Sequence, residues 1–272
     1  MNIETAKFSR NERGVMTAPE DTVSALARRL DDAQQSRTDT PSLADEHTID
    51  IDEAYRIQNE LLERRTSRGE SIVGIKLGFT SQAKMAQMGV SEVIVGQLTD
   101  TMCVSNGGEV DLRTFIHPKI EPEVAYRLSK DVDLDDPNVD IETCVDALAP
   151  AMEIIDSRYR DFRFTYTDVV ADNTSAAGYV IGRWLPLQNV EDRSVRMEVG
   201  GETVLGTTAA ILGDPARALH ALLDIARRRR IPLRAGQVIL AGAATAAVRL
   251  DEGVAQCTID GLGTVTVKGV KR

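Results

Sequence analysis

The order of the hydrophobic periods constrains this chain most. From Asp21 apolar residues recur at helical spacing, with Val23, Leu26, Ala27 and Leu30 on one face and Asp21 or Thr22 as N-cap. Ser36 to Pro41 break that pattern. Asp52 then opens a second helix with Ala54, Ile57, Leu61 and Leu62 apolar, and Arg64–Arg65 sit near its end, where cations suit the helix dipole. Beyond residue 70 the apolar residues come as short runs and alternations: Ile72–Phe79, the second half of His117–Leu128, Ala151–Ile155, Ala176–Ile181 and a β-rich C-terminal third. Helices gathered ahead of strands exclude an alternating βαβ layout and predict an α+β fold. The chain divides into a loose polar tail over 1–19, an N-terminal α region over 20–70 and a β-rich catalytic domain over 71–272.

Several local signals refine this reading. Thr80-Ser81 caps a helix through Met88, which Gly89 ends. Glu92 to Gly108 is turn-rich, and Ile141 to Ala147 forms a short helix. Gly200-Gly201 turns a hairpin within Val195–Val204, and Asp214-Pro215 starts a helix closed by Arg227–Arg230. That arginine run reads as a solvated helix end, and His117, next to a proline, as structural.

The ligand chemistry available is narrow. The chain has three cysteines and three histidines, all scattered, so neither a disulfide framework nor a zinc pattern is present. Free thiols point to a reducing cytoplasm, and a metal site would be built from carboxylates, which select magnesium, manganese or calcium. Lys and Arg total 32 against 42 for Asp and Glu, a net charge of −10, which excludes nucleic acid or an anionic membrane as the main partner. No run of 18 apolar residues and no apolar signal segment is present, so neither a spanning helix nor secretion is expected. Gly107-Gly108 belongs to no GxGxxG fingerprint.

Four constellations carry chemistry. Glu121-Pro122-Glu123 places two carboxylates on one face of a strand, where they need a counter-charge; taken alone, it is also the pattern of a solvent-exposed face. Glu153 interrupts the apolar Ala-Met-Glu-Ile-Ile, a costly place for an acid unless it is bound to a metal or paired, with Lys76 or Arg158 as candidate partners. Lys76 is isolated within Ile72–Phe79 and suits proton transfer, anion binding or a salt bridge. Asp172-Asn173-Thr174-Ser175 is a polar turn whose side chains are also able to position a substrate.

In this order, Lys76-Leu77-Gly78-Phe79-Thr80-Ser81, Glu121-Pro122-Glu123, Glu153 with Asp156-Ser157-Arg158, and Asp172-Asn173 resemble the hydratase/decarboxylase branch of the fumarylacetoacetate hydrolase superfamily. The resemblance covers about Ile51 to Lys268. The branch holds 2-oxopent-4-enoate hydratases and 4-oxalocrotonate decarboxylases of meta-cleavage aromatic degradation. Gly78–Val90, Gln97-Leu98-Thr99-Asp100 and Ala241–Val248 look decarboxylase-like. Similar hydratases commonly carry Asp where this chain has Ile94. Hydration needs a polar group to handle water, whereas an apolar wall keeps water from a reactive dienolate; Asp100 is a nearby acid able to compensate.

The resemblance implies a bent mixed β-sheet core, barrel- or sandwich-like, with an N-terminal α region. It implies Mg²⁺ or Mn²⁺ held by Glu121, Glu123 and Glu153, Lys76 in charge stabilisation or proton transfer, and Ser175, Asp172, Asn173 and Thr245 on a small 2-oxo-enedioate substrate. It further implies a homo-oligomer, with the partner hydratase as its associate. The rival readings are a hydratase, a hydrolase cleaving acylpyruvate C–C bonds, and a non-catalytic scaffold subunit.

Overall fold

Two amphipathic helices precede the sheets. Helix α1 spans Glu20–Ser36 and α2 spans Ile51–Ser67. The start of α2 is set by Asp50 rather than Asp52: Asp50 accepts from the Glu53 backbone while the Glu53 side chain accepts from Asp50 N–H, a reciprocal cap. Leu26, Ala27 and Leu30 of α1 and Ala54, Ile57 and Leu61 of α2 are buried in the same apolar core as the strands behind them. Each large aliphatic side chain so buried contributes about 1.5–3 kcal/mol. The computed structural model describes residues 9–10, 16–17, 20–81, 85–86, 89–90 and 92–272. The tail expected over 1–19 and the helix expected from Thr80 to Met88 fall largely outside these. Among the described residues no helix is long and apolar enough to cross a membrane.

A two-residue pair, β1 (Ser9–Arg10) with β2 (Met16–Thr17), precedes two larger sheets. The nine-stranded mixed sheet runs β4 (Ile94–Thr99), β3 (Ile72–Gly78), β13 (Val238–Ala243), β7 (Lys119–Leu128), β8 (Val145–Ile155), β9 (Ala176–Ile181), β5 (Cys103–Val104). Short strands β10 (Leu185–Pro186) and β14 (Val248–Arg249) add to β8 and β7. The five-stranded sheet runs β12 (Glu202–Thr207), β11 (Ser194–Val199), β15 (Gly253–Ile259), β16 (Gly263–Val270), β6 (Glu109–Asp111). Helix α3 (Tyr166–Ala171) sits between β8 and β9 in the chain, and α4 (Ala216–Arg229) precedes β13. The large sheet curls into a half-barrel with the helices at its flank, the α+β architecture that the order of periods predicts.

Two stretches differ from expectation. The turn-rich reading of 92–108 misses β4, whose Ile94, Val95 and Leu98 are buried. The helix expected over 141–147 is a single 3₁₀ turn, Ile141–Cys144, and the strand expected from Ala151 begins at Val145. Pro150 hides that strand, yet it costs little there. Strand β9 pairs no further than Ala151 and β10 begins at Leu148, so Pro150 lies in the gap between them, where a missing N–H breaks no ladder.

Candidate active site

The site is built where β7 and β8 run side by side. Glu121 stands opposite Glu153 in the antiparallel register, and Glu123 follows two residues along the same face. One carboxylate oxygen from each of the three lies within 4.8 Å of the others. Glu123 and Glu153 are fully buried and Glu121 is half-buried. Glu123 Oε2 accepts from the backbone N–H of Gly242, whereas Glu123 Oε1 and both oxygens of Glu153 have no hydrogen-bond partner. Gly242 has φ +120, and a Cβ there would lie 2.0 Å from Thr80 Oγ1; only glycine lets this amide reach the carboxylate.

Two fully buried carboxylates with oxygens outside any hydrogen bond, beside a third that is half-buried, are unfavourable unless protonated or neutralised. Burial, helped by repulsion from Glu121, pushes Glu153 up to about 8, against the pull of Lys76. Burial, then Glu153 and Glu121, raises Glu123 well above the carboxylate range. An all-oxygen donor set with three buried oxygens outside any hydrogen bond fits a hard divalent cation, which would replace the missing protons. A weakly acidic surface cluster would not leave buried oxygens orphaned in this way.

Lys76, on β3, is 3% exposed, with Nζ 2.9 Å from Glu153 Oε2. That contact is an ion pair outside hydrogen-bonding angles. Nζ also donates to the Thr174 carbonyl at 3.1 Å. Burial alone would lower the ammonium's pKa, but Glu153, Glu121 and Glu123 outweigh it and the net shift is upward. Of the two partners proposed for Glu153, Lys76 is the one the fold delivers; Arg158 goes elsewhere.

The Thr174 carbonyl is aimed by a strained turn. Asn173, Thr174 and Ser175 have φ of 48, 52 and 59, three consecutive left-handed non-glycine residues. Each costs about 1–2 kcal/mol, so the surroundings must hold them. Asn173 Oδ1 accepts from Gln97 N–H at 2.8 Å and its Nδ2 donates to Gln97 O at 2.9 Å, pairing with the β4 backbone as a strand would. Asp172 is fully buried and takes Arg158 Nε and Arg158 N–H, the Arg158 guanidinium also reaching Asp172 O. Burial raises Asp172 to about 6, against the pull of Arg158. Asp172 and Asn173 thus stand behind the site, with their polar atoms committed to the fold. Ser175 differs: its hydroxyl donates to Asp172 Oδ2 at 3.2 Å, and the residue borders the cavity.

That cavity, about 1130 Å³, opens over the glutamates and is walled by Lys76, Glu121, Thr174, Ser175, Thr245 and the apolar Phe79, Ile94 and Phe164. Ile94 is 1% exposed and part of this wall. Asp100 is not; its carboxylate takes the Ser71 and Thr101 amides on the surface. His117 is structural as expected, its Nε2 2.7 Å from Ser157 O. Sequence reasoning named Thr174 for its side chain rather than the carbonyl that meets Lys76, and missed the amide of Gly242 and the cations Lys119, Arg160 and Arg163 of the cavity wall. The signal available for Lys119 was its place two residues before Glu121.

No protein-family model matches the chain. It is 47% identical over 247 residues to a 4-oxalocrotonate decarboxylase of Pseudomonas sp, covering 90% of this chain and 96% of that one. It is 36% identical to a 2-keto-4-pentenoate hydratase of Paraburkholderia xenovorans (strain LB400), covering 88% and 91%. Among solved structures, 4-oxalocrotonate decarboxylase from Pseudomonas putida G7, complexed with magnesium and adipate, superposes with a TM-score of 0.87 at 36% identity, over 93% of this chain and 99% of that one. The chain therefore belongs to the branch of the fumarylacetoacetate hydrolase superfamily that contains the 4-oxalocrotonate decarboxylases and the 2-keto-4-pentenoate hydratases.

Proposed function

We propose that this chain is a carboxy-lyase that decarboxylates 4-oxalocrotonate (2-oxo-3-hexenedioate) to 2-hydroxypenta-2,4-dienoate and CO₂, in meta-cleavage aromatic catabolism. The observation that carries the reading is the three-glutamate cluster, with buried oxygens of Glu123 and Glu153 outside any hydrogen bond, beside a cavity wall that offers Ile94 and no acid at the hydratase position. Relatives of both activities exist, and the greater identity to a decarboxylase agrees with that wall.

Glu121, Glu123 and Glu153 would hold Mg²⁺, with Mn²⁺ as the substitute. When bound, such an ion supplies a Lewis acid for the 1-carboxylate and 2-oxo group of the substrate, offsetting the charge that arrives there as CO₂ leaves. Lys76, held protonated, donates one ammonium N–H to the Thr174 carbonyl, pairs with Glu153 as an ion and presents positive charge to the dienolate, or a proton at Nζ. Ser175 and Thr245 orient substrate from the cavity wall. Asp172 and Asn173 act through the turn that sets Thr174 and Ser175. Phe79, Ile94 and Phe164 exclude water, so that the dienolate is not hydrated in place.

The enzyme works in the cytoplasm as a homo-oligomer, with a hydratase that consumes its product as an associate, and residues 20–70 form an α region packed on a catalytic domain over 71–272. The deciding experiment is a CO₂-release assay on 4-oxalocrotonate with Mg²⁺ and with chelator. Metal-dependent CO₂ release is expected. Metal-dependent water addition to 2-hydroxypenta-2,4-dienoate without CO₂ release would make the chain a hydratase instead.

A further inference from the structure

We propose that Lys119, assisted by Arg163, is the specificity-determining cation that receives the distal carboxylate of a six-carbon 2-oxo diacid. This rests on the decarboxylase reading above. Lys119, Glu121 and Glu123 occupy alternate positions of β7 and share one face, and both Lys119 and Glu121 border the cavity. Two strand residues advance about 6.8 Å. The carboxyl carbons of an extended six-carbon diacid are separated by five C–C bonds, about 6 Å. A substrate whose 2-oxo acid end lies at the glutamates therefore spans the strand to Lys119, with Ile155, the register partner of Lys119, forming the cavity wall beside it.

The side chain is held ready. Lys119 Nζ lies 4.0 Å from the centroid of the Phe162 ring, and Phe162 packs against His117 at 4.7 Å. Asp161 and Phe162 are both left-handed, with φ of 56 and 55, which turns the 160–163 segment over the cavity. Arg160 is already paired with Asp39 at 2.9 Å. Among the described residues neither Lys119 nor Arg163 has a carboxylate partner, so two cations in the cavity wall await an anion.

The chemistry also sets a limit on this contact. The distal carboxylate is the group lost, and it becomes neutral CO₂ in the step. A cation that gripped it tightly would stabilise the ground state over the transition state. An ammonium shared with an aromatic face and half open to solvent binds the dianion without holding the leaving group too firmly. Lys119 therefore governs binding more than turnover, and it selects diacids over monoacids.

The test uses the Mg²⁺-loaded full chain, with calorimetric dissociation constants for adipate, which spans both ends, and oxalate, which reaches only the glutamate end. For Lys119→Met the adipate constant should rise about tenfold or more, the loss expected for a hydrogen-bonded charge, while oxalate stays within threefold. Lys119→Arg should keep adipate near wild type. The KM for 4-oxalocrotonate should rise by more than kcat falls. Arg163→Met, at an exposed position, should weaken adipate by a smaller factor and serves if Lys119→Met fails to fold. Equal loss of adipate and oxalate, or loss of neither, overturns the proposal. The adipate-to-oxalate ratio needs no turnover, so a wild-type protein that releases no CO₂ defeats the decarboxylase reading without deciding the role of Lys119.

Discussion

Three carboxylates and one ammonium leave the cluster with two uncompensated negative charges when all are ionised, and only Glu121 of the four is more than marginally exposed. Glu123→Gln removes one of those charges but keeps the Gly242 contact through its amide oxygen. CO₂ release should fall by about a hundredfold or more, because a ligand for the charge-offsetting ion is gone, while circular dichroism stays native. Unchanged turnover in this variant would remove the carboxylate site from the mechanism. Ile94→Asp asks the complementary question. An acid in the wall should lower CO₂ release at least tenfold and admit measurable water addition to 2-hydroxypenta-2,4-dienoate, read by chromatography of products. At this scale the sequence was informative wherever a residue broke its local pattern: Glu153 and Lys76 each interrupt an apolar strand, and Glu121 and Glu123 share a face. It named Thr174 for its side chain and was silent on the backbone carbonyl that accepts from Lys76, because any residue carries that atom.

Elements were legible where periodicity ran unbroken, as in α1, α2, α4 and the β11–β12 hairpin, and obscured where one residue masks an otherwise good strand, as Pro150 does in β8. The turn at 173–175 was readable as a turn but not as a lever. Its left-handed geometry exists because Asn173 is sewn to Gln97 and Asp172 to Arg158, contacts 76 and 14 residues apart in sequence. Strand β4 approaches this turn so closely that a Cβ on Gly96 would lie 2.1 Å from Thr174 Oγ1 and 2.5 Å from Asn173 O. Gly96→Ala should therefore force the turn away from β4 and carry the Thr174 carbonyl off Lys76. Overpacking of this kind costs about 1–3 kcal/mol. The expected result is a lower urea midpoint together with at least a tenfold loss of kcat, even though residue 96 touches no substrate. A variant that loses stability but keeps kcat would show that the turn does not set Lys76.

Charge acts very differently at the surface and in the interior of the whole molecule. The arginine run read as a solvated helix end is tied down on several sides, Arg228 to Glu92, Arg229 to Asp52 and Arg230 to Asp135. These pairs lie at the surface, where solvent and salt screen them and little stability is gained. Arg158 is 1% exposed and bound to buried Asp172; removing it with Arg158→Ala strands a carboxylate and should cost about 3–5 kcal/mol in urea unfolding, whereas Arg230→Ala should leave the urea midpoint near wild type.

The interior acids also give the molecule an unusual pH response. Glu153 titrates near 4.5 unfolded and near 8 in the metal-free fold, and Glu123 shifts in the same direction. Between those values the folded chain retains protons that the unfolded chain has lost, so metal-free stability falls as pH rises through this window. Asp172, raised to about 6, adds to the same slope, while the surface carboxylates Asp131, Asp135 and Asp146 are shifted downward and act only in acid below it. Lys76 is raised from an already basic value and contributes nothing to the slope before strongly alkaline pH. A divalent ion reverses the trend, because it binds the ionised carboxylates and must displace their protons at low pH. Melting temperature in chelator should therefore decline from pH 5.5 to 8.5. The increment from saturating Mg²⁺ should grow over the same range, reaching about 5–10 °C at a hundredfold excess over its dissociation constant. An increment independent of pH would mean that the ion binds somewhere other than the buried glutamates.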